Sequence, residues 1–167
     1  VVLPQGVLFR STGTEARIRR RILERDQLEA VIGLGPNLFY GAGLSACILI
    51  FRSRKATDRQ GRVLMIDASR LFRKGRNQNT LEPDHIQQIL NWYRAGEDVP
   101  GAVKNISLSD IEANDWNLSI PLYVEPIIEE ETVSVEEALQ NLKSALDAAY
   151  SAEDRLAALL KKAGLAE

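Results

Sequence analysis

Two short segments carry the residue types that could recognise a ligand. The first is the turn-forming stretch 36–45, in which Asn37, Phe39 and Tyr40 precede two glycines. Because glycine adopts backbone angles that other residues avoid, this stretch can present its aromatic rings at the rim of a sheet. Rings in that position can stack on a planar ligand, or they can close over the sheet as a hydrophobic lid. The residues alone favour the lid and leave the pocket as the alternative.

The second segment, 73–79, combines three cations, one glycine and three carboxamides in seven residues. Guanidinium and ammonium groups bind phosphates, and carboxamides can read the edges of bases. The segment lies in a basic half of the chain: residues 1–81 hold 15 lysines and arginines against 6 acids, whereas residues 82–167 hold 6 against 17. That division suits a polyphosphate partner. An ordinary solvated loop is the alternative, and the residues alone favour it.

The remaining residues offer no metal site or nucleophilic pair. A single cysteine, Cys47, and a single histidine, His85, cannot form an internal disulfide or a zinc cluster. We therefore expect Cys47 to be a buried hydrophobe and His85 to be a solvated surface residue. The first predicted helix carries arginines that are more typical of a solvated face than of a binding site: Arg17, Arg19, Arg20, Arg21 and Arg25. No run of about 18 apolar residues and no signal segment occurs, which predicts a cytoplasmic protein outside the membrane.

Apolar runs predict an α/β domain over residues 1–124. Runs without polar alternation are typical of buried strands, and they occur at 1–3, 28–34, 46–51 and 62–68. The second and third should be neighbours. The connection between the third and fourth is too short for a parallel crossover, so these two are predicted to pair as an antiparallel hairpin at the end of a mainly parallel sheet.

Helix signals surround these strands. Thr12 and Glu15 fit a capping box for a helix over 16–25, and a second helix is predicted over 80–94. A short strand at 103–108, a short helix at 109–114 and an extended strap or edge at 114–124 complete the predicted domain.

A different pattern follows the domain. Residues 125–133 contain three consecutive glutamates and are predicted to be a linker. Ser134 and Glu137 form a second capping box, which opens a long helix over 134–164. Its apolar residues follow a spacing of three and four residues, at Leu139, Leu142, Leu146, Ala149, Leu156 and Leu160, with Glu153 at one position of the series. This spacing predicts packing on another helix as a coiled coil.

In this order the segments resemble the modification (methyltransferase) subunit of type I restriction-modification systems, which methylates the exocyclic amino group of adenine in DNA. The stretches that carry the resemblance are 2–10, 28–34, 36–41, 46–49, 66–69, 74–79 and 114–118. The departures are mild and concern the stiffness of the first loop: Gly35 replaces a common proline, Ala42 a threonine, and Leu44-Ser45 an Ile-Pro pair.

The resemblance implies the C-terminal part of a Rossmann-like methyltransferase sheet with an antiparallel hairpin, followed by the long helix. It also implies that Asn37, Phe39 and Tyr40 border the pocket of a flipped adenine. The expected DNA contacts are Arg73, Lys74, Arg76, Asn77 and Asn79. The long helix would contact the specificity subunit, and a restriction subunit is a further expected partner.

Two motifs of that family do not occur in this sequence: the glycine-bearing loop for S-adenosylmethionine and the Asn-Pro-Pro-aromatic catalytic motif. The resemblance therefore predicts no catalytic, cofactor-binding or metal residues in this chain. S-adenosylmethionine is expected in the intact subunit, and the piece alone should be inactive. The alternative function is a non-catalytic helical assembly module on an α/β base, with basic residues that serve solubility.

Overall fold

The computed structural model describes residues 1–41, 43–125 and 134–163. The chain divides into two compact units, Val1–Ile127 and Ile128–Glu167. The strands are β1 (Val2–Pro4), β2 (Leu28–Leu34), β3 (Ala46–Phe51), β4 (Arg62–Ala68) and β5 (Val103–Ser107). The helices are α1 (Thr14–Glu24), α2 (Pro83–Ala95), α3 (Leu108–Ala113) and α4 (Val135–Lys162), with single 3₁₀ turns at Gln5–Leu8, Thr57–Arg59 and Ile120–Leu122.

The first unit is built on a five-stranded mixed sheet in the order β1-β3-β2-β4-β5. Every residue of β2 is buried, as its continuous apolar run predicts for a central strand with both faces covered. One core, on the face of α1 and α3, includes Leu23, Val31, Met65, Ile111 and Leu118. The other, on the face of α2, includes Ala30, Ile32, Leu34, Ile66 and Ile89. Alternate β2 side chains therefore supply the two cores.

The predicted hairpin between the third and fourth strands is wrong, because β2 lies between them. β3 pairs with β2 in the antiparallel direction, with Ile48 opposite Ile32, and β4 pairs with β2 in parallel, with Ile66 opposite Ile32. Since β3 runs against β2, it ends at the edge where β4 begins, and a short connection can step across the end of β2. The predicted adjacency of β2 and β3 is confirmed. The expected mainly parallel sheet is wrong, because the other three strand pairs are antiparallel.

The connection that steps across β2 is held in place by a buried lysine, Lys55. The Lys55 side chain is completely buried and its Nζ binds the Asp26 carboxylate and donates to the backbone carbonyl of Arg62 at 2.6 Å. The other Asp26 oxygen accepts from the Gly61 amide at 3.0 Å. A buried ammonium group is tolerated here because a carboxylate and a carbonyl replace its water shell.

Helix α1 differs from prediction at its start and on one face. Its N-cap is Gly13, at a φ of 89°, with no side-chain cap bond, so the expected Thr12 capping box is wrong. Arg19 is only 9% exposed, and its guanidinium donates to three carbonyls at 2.7–2.9 Å, those of Val7, Arg10 and Trp116. Burial lowers the pKa of Arg19. The other four arginines of the predicted solvated face are exposed, as expected.

Replacing Arg19 with methionine should lower the free energy of unfolding by about 2–4 kcal/mol, because the apolar volume remains while three partly buried carbonyls lose their donor. Trp116 adds to the effect, because Trp116 and Asp115 have left-handed φ angles of 58° and 54°. The hydrogen bond from Arg19 to the Trp116 carbonyl helps to hold this backbone conformation. Urea denaturation measures the change. Arg17→Met, at an exposed position of the same helix, is the control and should stay within about 0.5 kcal/mol of wild type.

Cys47 is fully buried in β3, and burial raises the pKa of its thiol to about 11, which confirms the expected buried hydrophobe.

His85 is half-buried, and its Nδ1 accepts a hydrogen bond from the Glu82 amide at 3.1 Å in the capping box of α2. It is therefore a capping residue and not the solvated surface residue that was expected. Residues 114–124 form a turn and a 3₁₀ turn, which agrees with a strap and not with an edge strand.

The second unit is described only from residue 134 to residue 163. Ser134 caps α4, since its Oγ accepts the Glu137 amide at 3.1 Å. None of the side chains described in α4 is buried, and Leu139, Leu142 and Leu146 are exposed. The predicted linker lies outside the described residues except for Glu125. Among the helices that the structure describes, none is long and apolar enough to cross a membrane.

Candidate functional site

The two segments singled out in the sequence meet at one edge of the sheet. Because β2 and β4 are parallel neighbours, their carboxyl ends lie side by side. The loop after β2 carries residues 36–41, and the loop after β4 carries residues 73–80. Ligands of α/β sheets commonly bind outside the carboxyl ends of such strands. We call residues 36–41 and 73–80 together the two-loop surface.

Direct hydrogen bonds tie the two loops together. The Asn79 amide donates to the Asn37 carbonyl at 2.8 Å, and the Asn79 side chain donates to the Pro36 carbonyl at 2.9 Å. In the other direction, the Asn37 side chain donates to the Asn77 carbonyl at 3.1 Å. The carboxamide nitrogens of Asn37 and Asn79 are thus engaged between the loops. Both side chains therefore hold the two loops against each other; Asn37 as part of the base pocket and Asn79 as a DNA contact remain predictions.

Gln78, which the sequence analysis left out of the site, makes a further bond across the loops. Its Nε2 donates to the Leu38 carbonyl at 2.8 Å. The Leu38 side chain in turn packs against the core on the α2 face. Leu38 therefore anchors this loop to the core beside the two rings. In the sequence, the only sign of this bond is that Gln78 stands between two asparagines, whose side chains have the same hydrogen-bonding groups.

The second loop is a tight hairpin. Arg73 and Thr80 exchange backbone hydrogen bonds at 2.8 and 3.0 Å, and the Gly75 amide donates to Asn79 Oδ1 at 3.3 Å. A Cβ atom at Gly75 would lie 2.0 Å from the Gln78 carbonyl oxygen. The turn therefore requires glycine at this position, and the surrounding cations are presented on a fixed backbone.

A second glycine, Gly35, allows the segment after β4 to approach β2. A Cβ atom there would lie 2.5 Å from the Phe72 ring and 2.9 Å from the Ser69 carbonyl oxygen. Gly35 was noted in the sequence only as a departure from a common proline. The structure supplies a packing reason for glycine in this chain, because a side chain at this position would require Phe72 and the backbone at Ser69 to move away.

The two aromatic rings differ in exposure. Phe39 is 43% exposed and Tyr40 is 97% exposed. Tyr40 packs against almost nothing in the described part of the chain, so packing there does not account for its ring. Phe39 is partly covered by its surroundings. The rim of the sheet thus presents two neighbouring rings that can accept a planar group.

The basic residues beside the rings are not equivalent. Arg73 Nε donates to Glu82 Oε1 at 2.6 Å, and this hydrogen bond, with the charge of Glu82, raises the pKa of Arg73. Lys74 and Arg76 are exposed, and no hydrogen bond or ion pair engages either side chain within the described chain. The Asn77 side chain is also exposed. Lys74, Arg76 and Asn77 are therefore the candidates whose polar groups remain available to a ligand.

One cavity near this edge is small. It holds about 130 Å³ between Gln5, Ser45, Asp67, Ser69 and Ser119. Asp67 Oδ1 already accepts the Ser69 amide at 2.9 Å. Pockets that enclose a small organic ligand usually measure about 300–1,000 Å³. This cavity is too small for S-adenosylmethionine, and we derive no chemical step through that donor in this chain.

Comparison with known proteins identifies the family of the chain. A family model described as N-6 DNA Methylase matches residues 1–132. In Methanocaldococcus jannaschii, the type I restriction enzyme MjaVII methylase subunit is 36% identical over 146 residues, which is 86% of this chain and 25% of the relative. The MjaVIII methylase subunit of the same organism is 37% identical over 145 residues, or 85% of this chain and 25% of the relative.

A solved structure agrees with these relatives. The methyltransferase subunit of a type I restriction-modification system from Streptococcus thermophilus matches with a TM-score of 0.69 and 40% identity, over 75% of this chain and 26% of that chain. The chain spans about a quarter of the length of the proteins it matches. The predicted family resemblance and the methyltransferase-like sheet followed by a long helix are thus confirmed. The chain belongs to the N-6 DNA methylase family.

Proposed function

We propose that this chain is part of a type I DNA adenine methyltransferase subunit and forms the target-base side of its pocket. One observation carries the proposal: two exposed rings, Phe39 and Tyr40, stand on a loop that is hydrogen-bonded to a basic hairpin at the carboxyl edge of the sheet. The named relatives are methylase subunits of type I restriction enzymes. A base and its phosphates could be bound side by side on this surface.

The energetics of adenine methylation explain why such rings would be needed. The exocyclic amino group cannot reach a methyl donor inside the helical stack, so the base must be flipped out at a cost of a few kcal/mol. Stacking on one aromatic ring contributes about 1–3 kcal/mol and offsets part of that cost. Asn37 borders this pocket in the proposal and acts through the second loop, because its amide nitrogen is bonded to Asn77.

The basic hairpin would bind the DNA backbone next to the flipped base. Lys74 and Arg76 supply unengaged charges, and Asn77 supplies an exposed carboxamide. Arg73 contributes through the nitrogens that its bond to Glu82 leaves available, and Asn79 holds the hairpin against the first loop. These roles divide the five expected DNA contacts into three direct contacts, one ion-paired contact and one positioning residue.

Replacing Lys74 and Arg76 with glutamine in the intact subunit should weaken DNA binding by about 10- to 100-fold at moderate salt, because two phosphate contacts are lost. The slope of log K against log salt concentration should become shallower by about 1.8. Fluorescence anisotropy with a labelled duplex over a range of salt concentrations measures both quantities. Arg17→Gln with Arg21→Gln removes the same charge from exposed positions on α1 and is the control. An unchanged affinity and slope would contradict the phosphate contacts.

The methyl donor and the catalytic residues belong to the rest of the subunit in this proposal. S-adenosylmethionine would supply the methyl group there, and the isolated chain should be inactive. The residues described here would stack on the base and bind the backbone.

Assembly is the proposed role of α4. Its exposed leucine stripe would pack against the specificity subunit as a coiled coil, and a restriction subunit is a further expected partner. The same stripe favours the second candidate function, a non-catalytic assembly module on an α/β base. The two candidates differ in whether Phe39 and Tyr40 matter for methylation. A cytoplasmic location remains an expectation.

A further inference from the structure

A second cavity lies at the opposite edge of the sheet from the two-loop surface, where β2 begins and β3 ends. It holds about 460 Å³ and is open to solvent. Four of the residues around it are arginines, and one is a carboxylate: Glu29, Arg52, Arg54, Ala56, Arg59, Tyr93 and Arg94. Neither the family resemblance nor the proposed function assigns a role to this cluster.

Glu29 organises the floor of this cavity. It is only 7% exposed, and its carboxylate accepts from Arg52 Nε at 2.7 Å, Arg59 Nη1 at 3.2 Å and the Tyr93 hydroxyl at 2.6 Å. Burial raises the pKa of Glu29, but the hydrogen bonds from Tyr93 and Arg52 and the charges of Arg52 and Arg59 outweigh it and lower the pKa overall. Glu29 is therefore ionised at neutral pH and holds its partners in fixed orientations.

Arg59 removes the negative potential that would otherwise face the cavity. Its Nη2 donates to the carbonyls of Tyr93 and Arg94, at 2.9 and 3.2 Å, which belong to the last turn of α2. Its guanidinium also lies 5.2 Å from the centroid of the Tyr93 ring. The carboxyl end of a helix normally repels anions. Here the carbonyls are covered by a cation, so the helix end does not oppose anion binding.

The remaining arginines leave the cavity with excess positive charge. Arg52 is bound to Glu29 through Nε and presents its outer nitrogens to solvent, with one of them 3.4 Å from the Tyr93 hydroxyl. Arg54 and Arg94 are exposed, and neither side chain is engaged in a hydrogen bond or ion pair with any described residue. Four guanidinium groups against one carboxylate give a local charge of +3. An anion with more than one charge would balance it.

The geometry points to a phosphate-binding pocket in this cavity, with Arg52, Arg54 and Arg94 as the ligands. All four cations are arginines, whose planar forks bind two oxygens of one phosphate group. The volume suits a phosphate or a nucleotide-sized group. The phosphate could belong to a free nucleotide or to the backbone of a nucleic acid that crosses this edge. The pocket is distinct from the two-loop surface, and it does not depend on the function proposed there.

Titration of the full chain with pyrophosphate, followed by calorimetry, tests the pocket. Saturable binding is expected, and Arg54→Gln with Arg94→Gln should weaken it about tenfold or more, as the loss of two charge-assisted contacts predicts. Arg54 and Arg94 suit the test because neither side chain makes a hydrogen bond or ion pair with any described residue. Arg17→Gln with Arg21→Gln carries the same change of charge and should bind pyrophosphate as the wild type does.

Two further titrations, with ATP and with a short DNA duplex, identify the source of the phosphate. A loss of ATP affinity in the Arg54/Arg94 variant assigns the pocket to free nucleotides, and a selective loss of duplex affinity assigns it to backbone phosphates. Either result supports the site. If the Arg54/Arg94 variant and the Arg17/Arg21 control bind pyrophosphate, ATP and the duplex equally well, the pocket is only a structural cluster and the proposal fails.

Discussion

Replacing both Phe39 and Tyr40 with alanine in the intact subunit is expected to lower the single-turnover rate of adenine methylation by about 10- to 100-fold. The magnitude follows from stacking, since one ring on a flipped base contributes about 1–3 kcal/mol and each 1.4 kcal/mol changes an equilibrium tenfold. Transfer of a labelled methyl group into a duplex that contains the recognition site measures the rate. Retention of the wild-type rate would exclude the pocket and favour the assembly module.

Single substitutions can identify which ring stacks on the base. Tyr40 is almost fully exposed, so Tyr40→Ala should leave the free energy of unfolding unchanged and affect only the reaction. Phe39 is partly covered, and its replacement should also destabilise the loop. Tyr40→Phe keeps the ring and should methylate at a nearly wild-type rate. Ile86 on α2 is about as exposed as Phe39, so Ile86→Ala controls for the loss of exposed apolar surface.

The strands of this domain were predictable because burial on both faces leaves a direct mark on the sequence. The runs 28–34, 46–51 and 62–68 coincide with β2, β3 and β4. Their order was not predictable from connection length. A short connection indicates that two strands run in opposite directions, but it does not reveal that a third strand lies between them. Here β2 fills that place, and the buried contacts of Lys55 hold the connection across it.

Arg19 shows a second limit of sequence patterns. Its position on the helix places it among solvated arginines, and nothing nearby in the sequence distinguishes it. Its partners include the carbonyl of Trp116, which lies 97 residues later. A buried cation is recognisable only when the acceptors that replace its water are known. The same holds for Glu29, which the sequence places within an apolar strand and which the structure surrounds with Tyr93 and two arginines.

At the candidate site, residue types singled out two segments that meet at one edge of the sheet, but they did not reveal which side chains hold the two loops together. Asn37 and Asn79 have the chemistry of base-reading residues, yet their amide nitrogens bind backbone carbonyls about 40 residues away. Gln78 was overlooked, although it completes the contact between the loops. Carboxamides serve both purposes equally well, and only the arrangement of the two loops separates them. The assignment of Phe39, Tyr40, Lys74, Arg76 and Asn77 to DNA remains a prediction.

The long helix gives the other large expected effect: removing residues 134–167 from the intact subunit should abolish its complex with the specificity subunit. A sharper variant changes Leu139, Leu142 and Leu146 to glutamine. These leucines lie on one side of α4, whose 28 residues extend about 42 Å. Burial of three leucines in an interface is worth about 5–8 kcal/mol, so the affinity should fall by at least a thousandfold.

Glutamine is chosen because it preserves helix formation, so that a loss of binding reports on the stripe and not on unfolding of α4. The matched control places three glutamines on the opposite side of the same helix, at Glu137, Ser144 and Ser151. Size-exclusion chromatography of the mixed subunits, with circular dichroism to verify helix content, distinguishes the two variants. An intact complex with the leucine variant would show that the specificity subunit binds elsewhere. Because Phe39 and Tyr40 are proposed to bind the base and the α4 leucines to bind the specificity subunit, methylation defects of the Phe39 and Tyr40 variants should occur in fully assembled complexes.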